Sequence, residues 1–451
     1  WSPRSAPVPR MSESNTAPGN GAAMDLAGLV DHAKTLDCIH CGLCLQSCPT
    51  YQLSGAEPSS PRGRIHMMRS IGEGAMTPDA GYAEELDFCL LCRHCESVCP
   101  AGVQFGSMME TARDAVERVV KRPLLTRLLR HIGFRHVLPN RLVLRVLGSA
   151  LRVMQLLRLD SLAAKIGGAR GAGVADLPRI QALGKRRLLP KVTPATGTRT
   201  ESVAVLEGCV MPEMFPGVNR STVDSLAKLG LESHRLPAVV CCGSLHAHNG
   251  DLKGARDLAR VMLDGYDQLS VDLNAAPRIA INSAGCGAHM RELGHLFAEG
   301  DPDHLRAKMF ASHVVDYSEV VAPLLADRAP IQDDALGDLP GPLTWDDPCH
   351  LCHAQGVRVE PRQVLEKLPV ALVPLQNSES CCGSAGIYSL LRPSDSADVF
   401  APKLESFQAS GAKTLVTANP GCQMQWQAGL RRSGSSARVV HLAELVDRAL
   451  P

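Results

Sequence analysis

Apolar positions in the C-terminal half follow two alternating patterns. The short runs, rich in β-branched residues and leading into Gly or Cys, are 202–206, 237–240, 278–282 and 413–417. Between them, 221–229 and 252–269 carry apolar residues at helical spacing. Short β-branched runs of this kind are typical of buried parallel strands. Strands that alternate with helices predict a parallel α/β layer structure.

A different pattern occupies 121–191, where leucines are interleaved with arginines and very few acids. It predicts two or three amphipathic helices with an Arg-rich face. Two interpretations stay open at this point. The helices form either a solvated linker packed on the preceding domain or a surface that contacts a partner or an anionic membrane.

The cysteines of the C-terminal half repeat with equal spacing. Cys209 is followed 32 residues later by Cys241-Cys242-Gly243, and Cys349 is followed 32 residues later by Cys381-Cys382-Gly383. Each set then meets one further cysteine, Cys286 or Cys422. The equal spacing predicts two copies of one unit. Because cysteines at the carboxyl ends of parallel strands lie where such sheets bind ligands, we expect each copy to gather its thiols.

The chain has 17 cysteines among 451 residues, which points to either a disulfide framework or a metal framework. Disulfide-dense proteins are usually small and secreted. This chain is long, and residues 38–48 hold four thiols in eleven positions. That spacing suits one metal centre better than two disulfides, so we favour metal.

Two runs of the form Cys-x2-Cys-x2-Cys-x3-Cys-Pro carry the strongest signal. They are Cys38, Cys41, Cys44 and Cys48, then Cys89, Cys92, Cys95 and Cys99. In such runs three thiolates hold one 4Fe–4S cluster and the fourth, before proline, ligates the other cluster. We therefore expect Cys38, Cys41, Cys44 and Cys99 at one cluster, and Cys89, Cys92, Cys95 and Cys48 at the second. Zinc is the alternative, but it would need only Cys-x2-Cys pairs.

Composition sets the remaining limits. Lys and Arg total 47 against 46 Asp and Glu, a balance that argues against a nucleic-acid partner. No run of 18 apolar residues occurs in the sequence, and we expect a cytoplasmic protein, with peripheral contact to the cytoplasmic face of the inner membrane as an alternative. The expected units are a disordered tail 1–23, a double-cluster domain 24–120, a basic helical linker 121–199 and the two copies, 200–330 and 340–451.

The Cys…Cys-Cys-Gly…Cys arrangement resembles the CCG, or cysteine-rich, domain of heterodisulfide reductase subunits. The resemblance implies a fold with an α-helical, ferredoxin-like domain for two 4Fe–4S clusters followed by two repeated α/β CCG domains. The full family pattern has five cysteine ligands, and this chain has Ser283 and Asn419 where one of them would stand. Each copy offers four thiols: Cys209, Cys241, Cys242 and Cys286, and Cys349, Cys381, Cys382 and Cys422. Cys352 is a candidate fifth ligand in the second copy, and whether either copy binds a further cluster stays open.

From about Met24 onward the chain resembles the family of iron–sulfur subunits of bacterial glycolate oxidase. The matching stretches include Cys48-Pro-Thr-Tyr51, Pro61-Arg-Gly-Arg-Ile65 and Cys381-Cys-Gly-Ser-Ala-Gly386. The resemblance implies electron transfer from FAD in partner subunits, which oxidise glycolate to glyoxylate and also D-lactate to pyruvate, to a quinone-level acceptor. The sequence shows no dinucleotide-binding glycine motif of its own.

Three alternatives to this function stay open. The chain could serve an anaerobic glycerol-3-phosphate or lactate dehydrogenase instead. Its CCG half could itself reduce disulfides, although the missing cysteine in each copy counts against this. It could also bind clusters as a sensor without turnover. No catalytic residue can be assigned from the sequence.

Overall fold

The computed structural model describes residues 28–160, 175–326 and 339–451, with the isolated residues 162, 173, 328, 331, 336 and 337. The tail expected at 1–23 lies outside the described residues. Among those described, no helix combines the length and apolar character needed to cross a membrane.

The part of the chain that holds the two cysteine runs is helical. Its helices are α1 (His32–Thr35), α2 (Pro49–Ser54), α3 (Pro61–Gly72), α4 (Ala80–Phe88), α5 (His94–Ser97) and α6 (Phe105–Val119). Proline stands in the first turn of α2 and α3, where no hydrogen-bonding partner for its nitrogen is needed. The Ser60 hydroxyl caps α3 by accepting from Gly63 N at 3.0 Å. Ile71, Leu86, Met109 and Ala112 are fully buried between these helices.

Two longer helices follow, α7 (Leu124–Ile132) and α8 (Arg141–Leu156), joined by a π-helical turn. The expected amphipathic helices are therefore present. The expected outward Arg-rich face is not found, because arginines of this segment turn inward. Their ion pairs with the protein body are Arg122–Asp87, Arg130–Glu117 and Arg141–Glu207. The leucines face outward instead, and Leu124, Leu129 and Leu142 are exposed.

The first copy is a five-stranded sheet in the order β1-β3-β2-β4-β5. Its strands are β1 (Val192–Thr193), β2 (Glu201–Val205), β3 (Leu231–Arg235), β4 (Arg278–Ile281) and β5 (Val314–Asp316). Only β1 pairs antiparallel. The helices are α9 (Met211–Met214), α10 (Pro216–Lys228), α11 (Ser244–His248), α12 (Leu252–Leu273), α13 (Ala284–Arg291), α14 (Asp303–His313) and α15 (Tyr317–Ala326).

The second copy is a three-stranded parallel sheet in the order β6-β7-β8. Its strands are β6 (Leu343–Trp345), β7 (Thr414–Thr417) and β8 (Arg438–His441). Leu343 also forms a parallel bridge with Leu372, in the position that β3 holds in the first copy. The helices are α16 (Glu360–Glu366), α17 (Tyr388–Leu391), α18 (Pro393–Ser410), α19 (Pro420–Arg432) and α20 (Leu442–Ala449).

The two copies share one apolar core, which includes Val203, Leu226, Val320, Val416 and Leu445, all with essentially no exposed surface. Because this core spans both sheets, burial of apolar area holds the copies together. The result is a pair of α/β units packed on the helical double-cluster domain.

One predicted strand is wrong. Residues 237–240 form no strand, because Ala238 takes a left-handed backbone conformation with φ +56° and turns the chain. The strand lies before this run, as β3 (Leu231–Arg235), whose sequence Leu-Glu-Ser-His-Arg lacks an apolar run. Its polar side chains are accommodated by partners: His234 Nε2 lies 2.9 Å from Glu232, and Arg235 pairs with Glu207 at 3.1 Å.

Candidate functional site

Both cysteine runs of the helical domain adopt the same backbone turn. His40 and Gly42 have positive φ in the first run, and Leu91 and Arg93 have positive φ at the equivalent positions of the second. A left-handed residue on either side of the second cysteine bends the chain back on itself. The repeated turn brings the first three thiols of each run to one side.

The first cavity is lined by Cys38, Cys41, Cys44 and Cys99, the set that the sequence assigns to one cluster, with Cys95 at its edge. We call this set site A. It encloses about 440 Å³ of space, part of it open to solvent, and Cys41 is exposed. Arg62 also lines the cavity, and its guanidinium donates to His40 O at 3.2 Å.

A second cavity is lined by Cys48, Cys89, Cys92 and Cys95, the other expected set, which we call site B. The fully buried Arg64 lies beside it and donates to Thr50 Oγ1 at 3.1 Å and to Ser59 O at 2.7 Å. The arginine charge lowers the pKa of Cys48, but burial outweighs it and the pKa is raised. Both arginines of the Pro61-Arg-Gly-Arg stretch therefore flank the thiols, while the same stretch opens α3.

The chemistry of these thiols fits iron–sulfur clusters. All 17 cysteines are free thiols. Partial burial raises the pKa of Cys44 to about 11, and it also raises the pKa of Cys95. A thiolate is the ligand form, so these sulfurs need a cation to hold them deprotonated. Four convergent thiols around each cavity match the ligand count of a 4Fe–4S cluster.

The four thiols of the first copy converge at the carboxyl ends of its strands, and we call them site C. Cys242 Sγ lies 3.1 Å from Cys286 Sγ, and Cys209 and Cys241 share a hydrogen bond. Gly243 has φ +92°, the backbone angle expected after the adjacent cysteines, and its N–H donates to Cys241 Sγ at 3.5 Å. The hydrogen bond from Cys209 lowers the pKa of Cys241.

The second copy repeats this arrangement as site D, formed by Cys349, Cys381, Cys382 and Cys422. Cys382 Sγ lies 3.3 Å from Cys422 Sγ, and Gly383, with φ +80°, donates to Cys381 Sγ at 3.4 Å. The hydrogen bond with Cys381 lowers the pKa of Cys349 to about 5. The buried Cys352 points its thiol at Cys349 O, 3.8 Å away, so its role as a fifth ligand stays a prediction.

The residues at the missing cysteine positions are hydrogen-bond partners of the remaining thiols. Asn419 Nδ2 donates to Cys422 Sγ at 3.4 Å, and hydrogen bonds with Cys242 and, to a lesser degree, Ser283 lower the pKa of Cys286. The other end of the Asn419 amide accepts from Gly285 N at 3.2 Å, next to Cys286. One side chain therefore joins site D to site C.

Contacts also join site D to site B. The Cys381 and Cys92 thiols share a hydrogen bond, and both lie in one buried apolar group with Leu90 and Tyr388. Since Cys95 lines both of the first two cavities, the sites form a row in the order A, B, D, C. The placement of site D between sites B and C could not be read from the sequence, because the Cys92–Cys381 and Asn419–Gly285 contacts join residues far apart in the chain.

At the far end of the row, Cys209 of site C lines a surface pocket with Arg141, Leu142, Arg145 and Glu213. The pocket holds about 550 Å³ of space, part of it open to solvent. Cys209 and Cys286 are the only thiols of site C with partial exposure. The row thus has one accessible end at Cys41 and another at Cys209.

A buried histidine group lies where the helical domain meets both copies. Glu110 of α6 accepts from His295 Nε2 at 2.8 Å, and His248 lies 3.5 Å away. Burial would raise the pKa of Glu110, but the hydrogen bond from His295 and nearby charge lower it to about 2. Burial lowers the pKa of His289 to about 4. His246 and His353 likewise bond protein atoms, Phe134 O at 2.7 Å and Glu379 O at 2.8 Å.

Sites C and D differ in whether charged side chains are buried next to their cysteines. Under site D, Lys403 Nζ lies 2.6 Å from Asp346 Oδ1 and donates to Ser378 O at 2.7 Å, with neither side chain exposed. The position that matches Asp346 in the first copy is Leu206, three residues before its cysteine, and the apolar Leu263 matches Lys403. Both leucines are buried.

Comparison with known families agrees with this division of the chain. Residues 34–103 match a family described as a 4Fe–4S dicluster domain. Residues 203–291 and 343–427 each match a family described as a cysteine-rich domain. The two copies and the iron–sulfur character of the chain are thereby confirmed.

Relatives extend over nearly the whole chain. It is 34% identical over 433 residues to a protein of Bacillus subtilis (strain 168) named probable glycolate oxidase iron–sulfur subunit, covering 93% of this chain and 95% of the relative. It is 33% identical over 415 residues to the glycolate oxidase iron–sulfur subunit of Escherichia coli (strain K12), covering 92% and 93%. Lactate utilization protein A of Exiguobacterium sp. (strain ATCC BAA-1283 / AT1b) is 26% identical over 250 residues, covering 55% of this chain and 98% of the relative.

Proposed function

We propose that this chain, which belongs to the family of glycolate oxidase iron–sulfur subunits, transfers electrons. In the proposed complex, FAD-bearing partner subunits oxidise glycolate to glyoxylate, and D-lactate to pyruvate. This chain takes the electrons to a quinone-level acceptor and contacts the membrane peripherally. The observation that carries the proposal is the row of thiol sites from the exposed Cys41 to the pocket at Cys209.

The cysteine sets and their neighbouring arginines have separate roles in this electron transfer. Cys38, Cys41, Cys44 and Cys99 would hold one 4Fe–4S cluster, and Cys48, Cys89, Cys92 and Cys95 the second, each accepting and releasing one electron when bound. Sites C and D, with four thiols each, would hold further clusters. Arg62 and Arg64 place positive charge beside the first two sites. Cationic and hydrogen-bonding neighbours of this kind stabilise the more negative, reduced state.

The pocket at Cys209 supports an acceptor of quinone class at this end. Its lining combines leucine side chains with Arg141 and Arg145, and binding sites for small organic molecules pair an apolar wall with a few polar groups in this way. Arg141 is held by Glu207 and Val239 O, which leaves Arg145 as the arginine suited to hydrogen-bond the oxygens of a carbonyl ligand.

The experiment is anaerobic purification with the neighbouring flavoprotein subunits, followed by substrate addition. We expect glycolate to bleach the visible absorption and to produce EPR signals of reduced clusters in this chain. Cys41→Ser should remove the site A signal, whereas Val271→Ser, an exposed change near the C-terminal end of α12, should leave it. Reduction by glycerol 3-phosphate but not by glycolate would assign the chain to the other complex, and disulfide reduction without the flavoprotein would make it a reductase.

A further inference from the structure

Helices α7 and α8 present an unusual surface, because their apolar side chains point to solvent. Leu124 is 80% exposed and Leu142 is 71% exposed, and Leu125, Leu129, Val146 and Leu157 are also exposed. On α7, positions 125, 129 and 132 follow the spacing of one helical face. Soluble proteins rarely leave so large an apolar surface uncovered unless it binds something.

The charges around this surface indicate what it binds. Between 121 and 159 the chain has nine Lys and Arg residues and no Asp or Glu. Arg122, Arg130 and Arg141 are turned toward acids of the protein body. Lys121 and Arg127 are exposed beside the leucines. Glu117 and Asp251 also line the cleft beside Leu124 and Leu128, but each is paired with an arginine of this segment. A leucine-rich helix face with exposed basic residues at its border is typical of helices that lie on anionic bilayers.

A protein partner would be expected to leave a different signature. Interface cores are enriched in aromatic residues and methionine, whereas the exposed apolar residues of α7 and α8 are Leu, Val and Ile. The one aromatic residue between 121 and 159, Phe134, is buried. Composition and charge together favour lipid.

We propose that the exposed face of α7 and α8 docks this chain on the surface of an anionic lipid bilayer. The face is continuous with the acceptor pocket, since Leu142 and Arg145 of α8 also line the space beside Cys209. Docking therefore places the exposed end of the thiol row at the membrane. In this one respect the inference rests on the proposed function, namely that the acceptor is lipophilic.

The test uses the full chain, purified anaerobically with its clusters, and vesicles of phosphatidylcholine alone or mixed with phosphatidylglycerol. We expect the chain to co-sediment with the anionic vesicles and to stay largely in solution with the neutral ones. Leu125→Ser/Leu129→Ser should weaken partitioning at least about tenfold, because two exposed leucines no longer enter the lipid. Arg127→Gln should weaken it about fivefold, and only with anionic vesicles.

A matched control is available at exposed apolar residues outside α7 and α8. Val271 and Leu305 are 75% and 70% exposed on other helices, so Val271→Ser/Leu305→Ser removes as much exposed apolar area without touching α7. This variant should bind vesicles as the wild type does. Equal binding by the leucine variant and the wild type, or a wild type that stays in solution with both vesicle types, would overturn the proposal.

Two further readouts separate this proposal from its rivals. If Leu125→Ser/Leu129→Ser releases the flavoprotein subunits in sedimentation velocity while vesicle binding is unchanged, the face is a protein interface and the proposal is wrong. Self-association lost in the variant would assign the face to a second copy. Glycolate-dependent cluster reduction should be equal in variant and wild type, so failure of docking would leave the electron-transfer proposal untouched.

Discussion

At the residue scale, the Lys403–Asp346 pair beneath site D is the clearest departure from an apolar core. Lys403→Met leaves the carboxylate of Asp346 buried without its cation, which should cost about 3–5 kcal/mol of folding free energy. Asp346→Leu/Lys403→Met restores the apolar pair that the first copy has as Leu206 and Leu263. The double variant should recover most of the loss, as measured by anaerobic thermal unfolding.

Equal destabilisation of the single and double variants would show that the ion pair is not the unit that matters. The comparison is sharp because burial raises the pKa of Asp346 to about 6 even with the lysine present. The buried ammonium is the cation that balances this carboxylate, while Thr417 Oγ1 donates to its other oxygen at 3.1 Å.

The glycines after the paired cysteines allow a second residue-scale prediction. A Cβ at Gly383, with φ +80°, would lie 2.4 Å from Ser396 O, whereas a Cβ at Gly411, with φ +73°, meets nothing within 4 Å. Gly411→Ala should cost about 1 kcal/mol for the backbone angle alone. Gly383→Ala should cost at least about 3 kcal/mol and lower the iron content, because the clash also moves Cys381 and Cys382. Similar costs for the two variants would contradict this.

The Glu110–His295 pair predicts a pH dependence. Its hydrogen bond to Glu110 raises the pKa of His295 above the unfolded value although burial opposes it. This stabilisation is fully present below about pH 6.5 and is lost as the pH rises through the folded pKa. Wild-type protein should therefore lose more thermal stability than His295→Gln between pH 6 and pH 8. Parallel curves for the two proteins would show that the pair does not titrate in this range.

At the scale of elements, the sequence predicted the amphipathic helices and three of the eight described strands, β2, β4 and β7, but not which way the helices face. The spacing of the leucines in 121–159 identifies amphipathic helices, yet the inward side depends on acids distant in the chain, such as Glu207 and Asp251. Strand β3 was missed for a related reason. Its polar residues are satisfied by partners that only the fold supplies.

The packing of α5 against the first copy gives an element-scale prediction. Arg93 places both terminal nitrogens 2.6 Å from the carboxylate oxygens of Glu292, and it also pairs with Glu96. Arg93→Ala leaves two carboxylates facing each other at this interface. We expect a loss of about 2–4 kcal/mol and faster hydrogen exchange in both α5 and α13. Glu292→Gln, which keeps a hydrogen-bond acceptor, should lose much less, and equal losses would argue against a charge effect.

At the scale of the whole molecule, the cysteines that line sites A and B include the two sets predicted from local spacing, and their role as cluster ligands stays a prediction. The order A, B, D, C could not be predicted, since it depends on the Cys92–Cys381 contact and on Asn419. In the sequence the two copies have the same cysteine spacing and therefore look equivalent. The fold makes site D an interior neighbour of site B and leaves site C beside the surface pocket.

The order of the four sites predicts at which site a cysteine substitution stops electron transfer. Cys382→Ser in site D should leave the EPR signals of sites A and B reducible by glycolate and the flavoprotein, because those sites lie on the donor side. Reduction of a quinone analogue should fall to background, since the thiol contacts that join site B to site C run through Cys381 of site D and the Asn419 amide. Cys41→Ser should instead abolish both the glycolate-dependent EPR signals of sites A and B and the reduction of the quinone analogue. Quinone reduction that survives Cys382→Ser would mean that the acceptor is met before site D, and the pocket at Cys209 would then have another role.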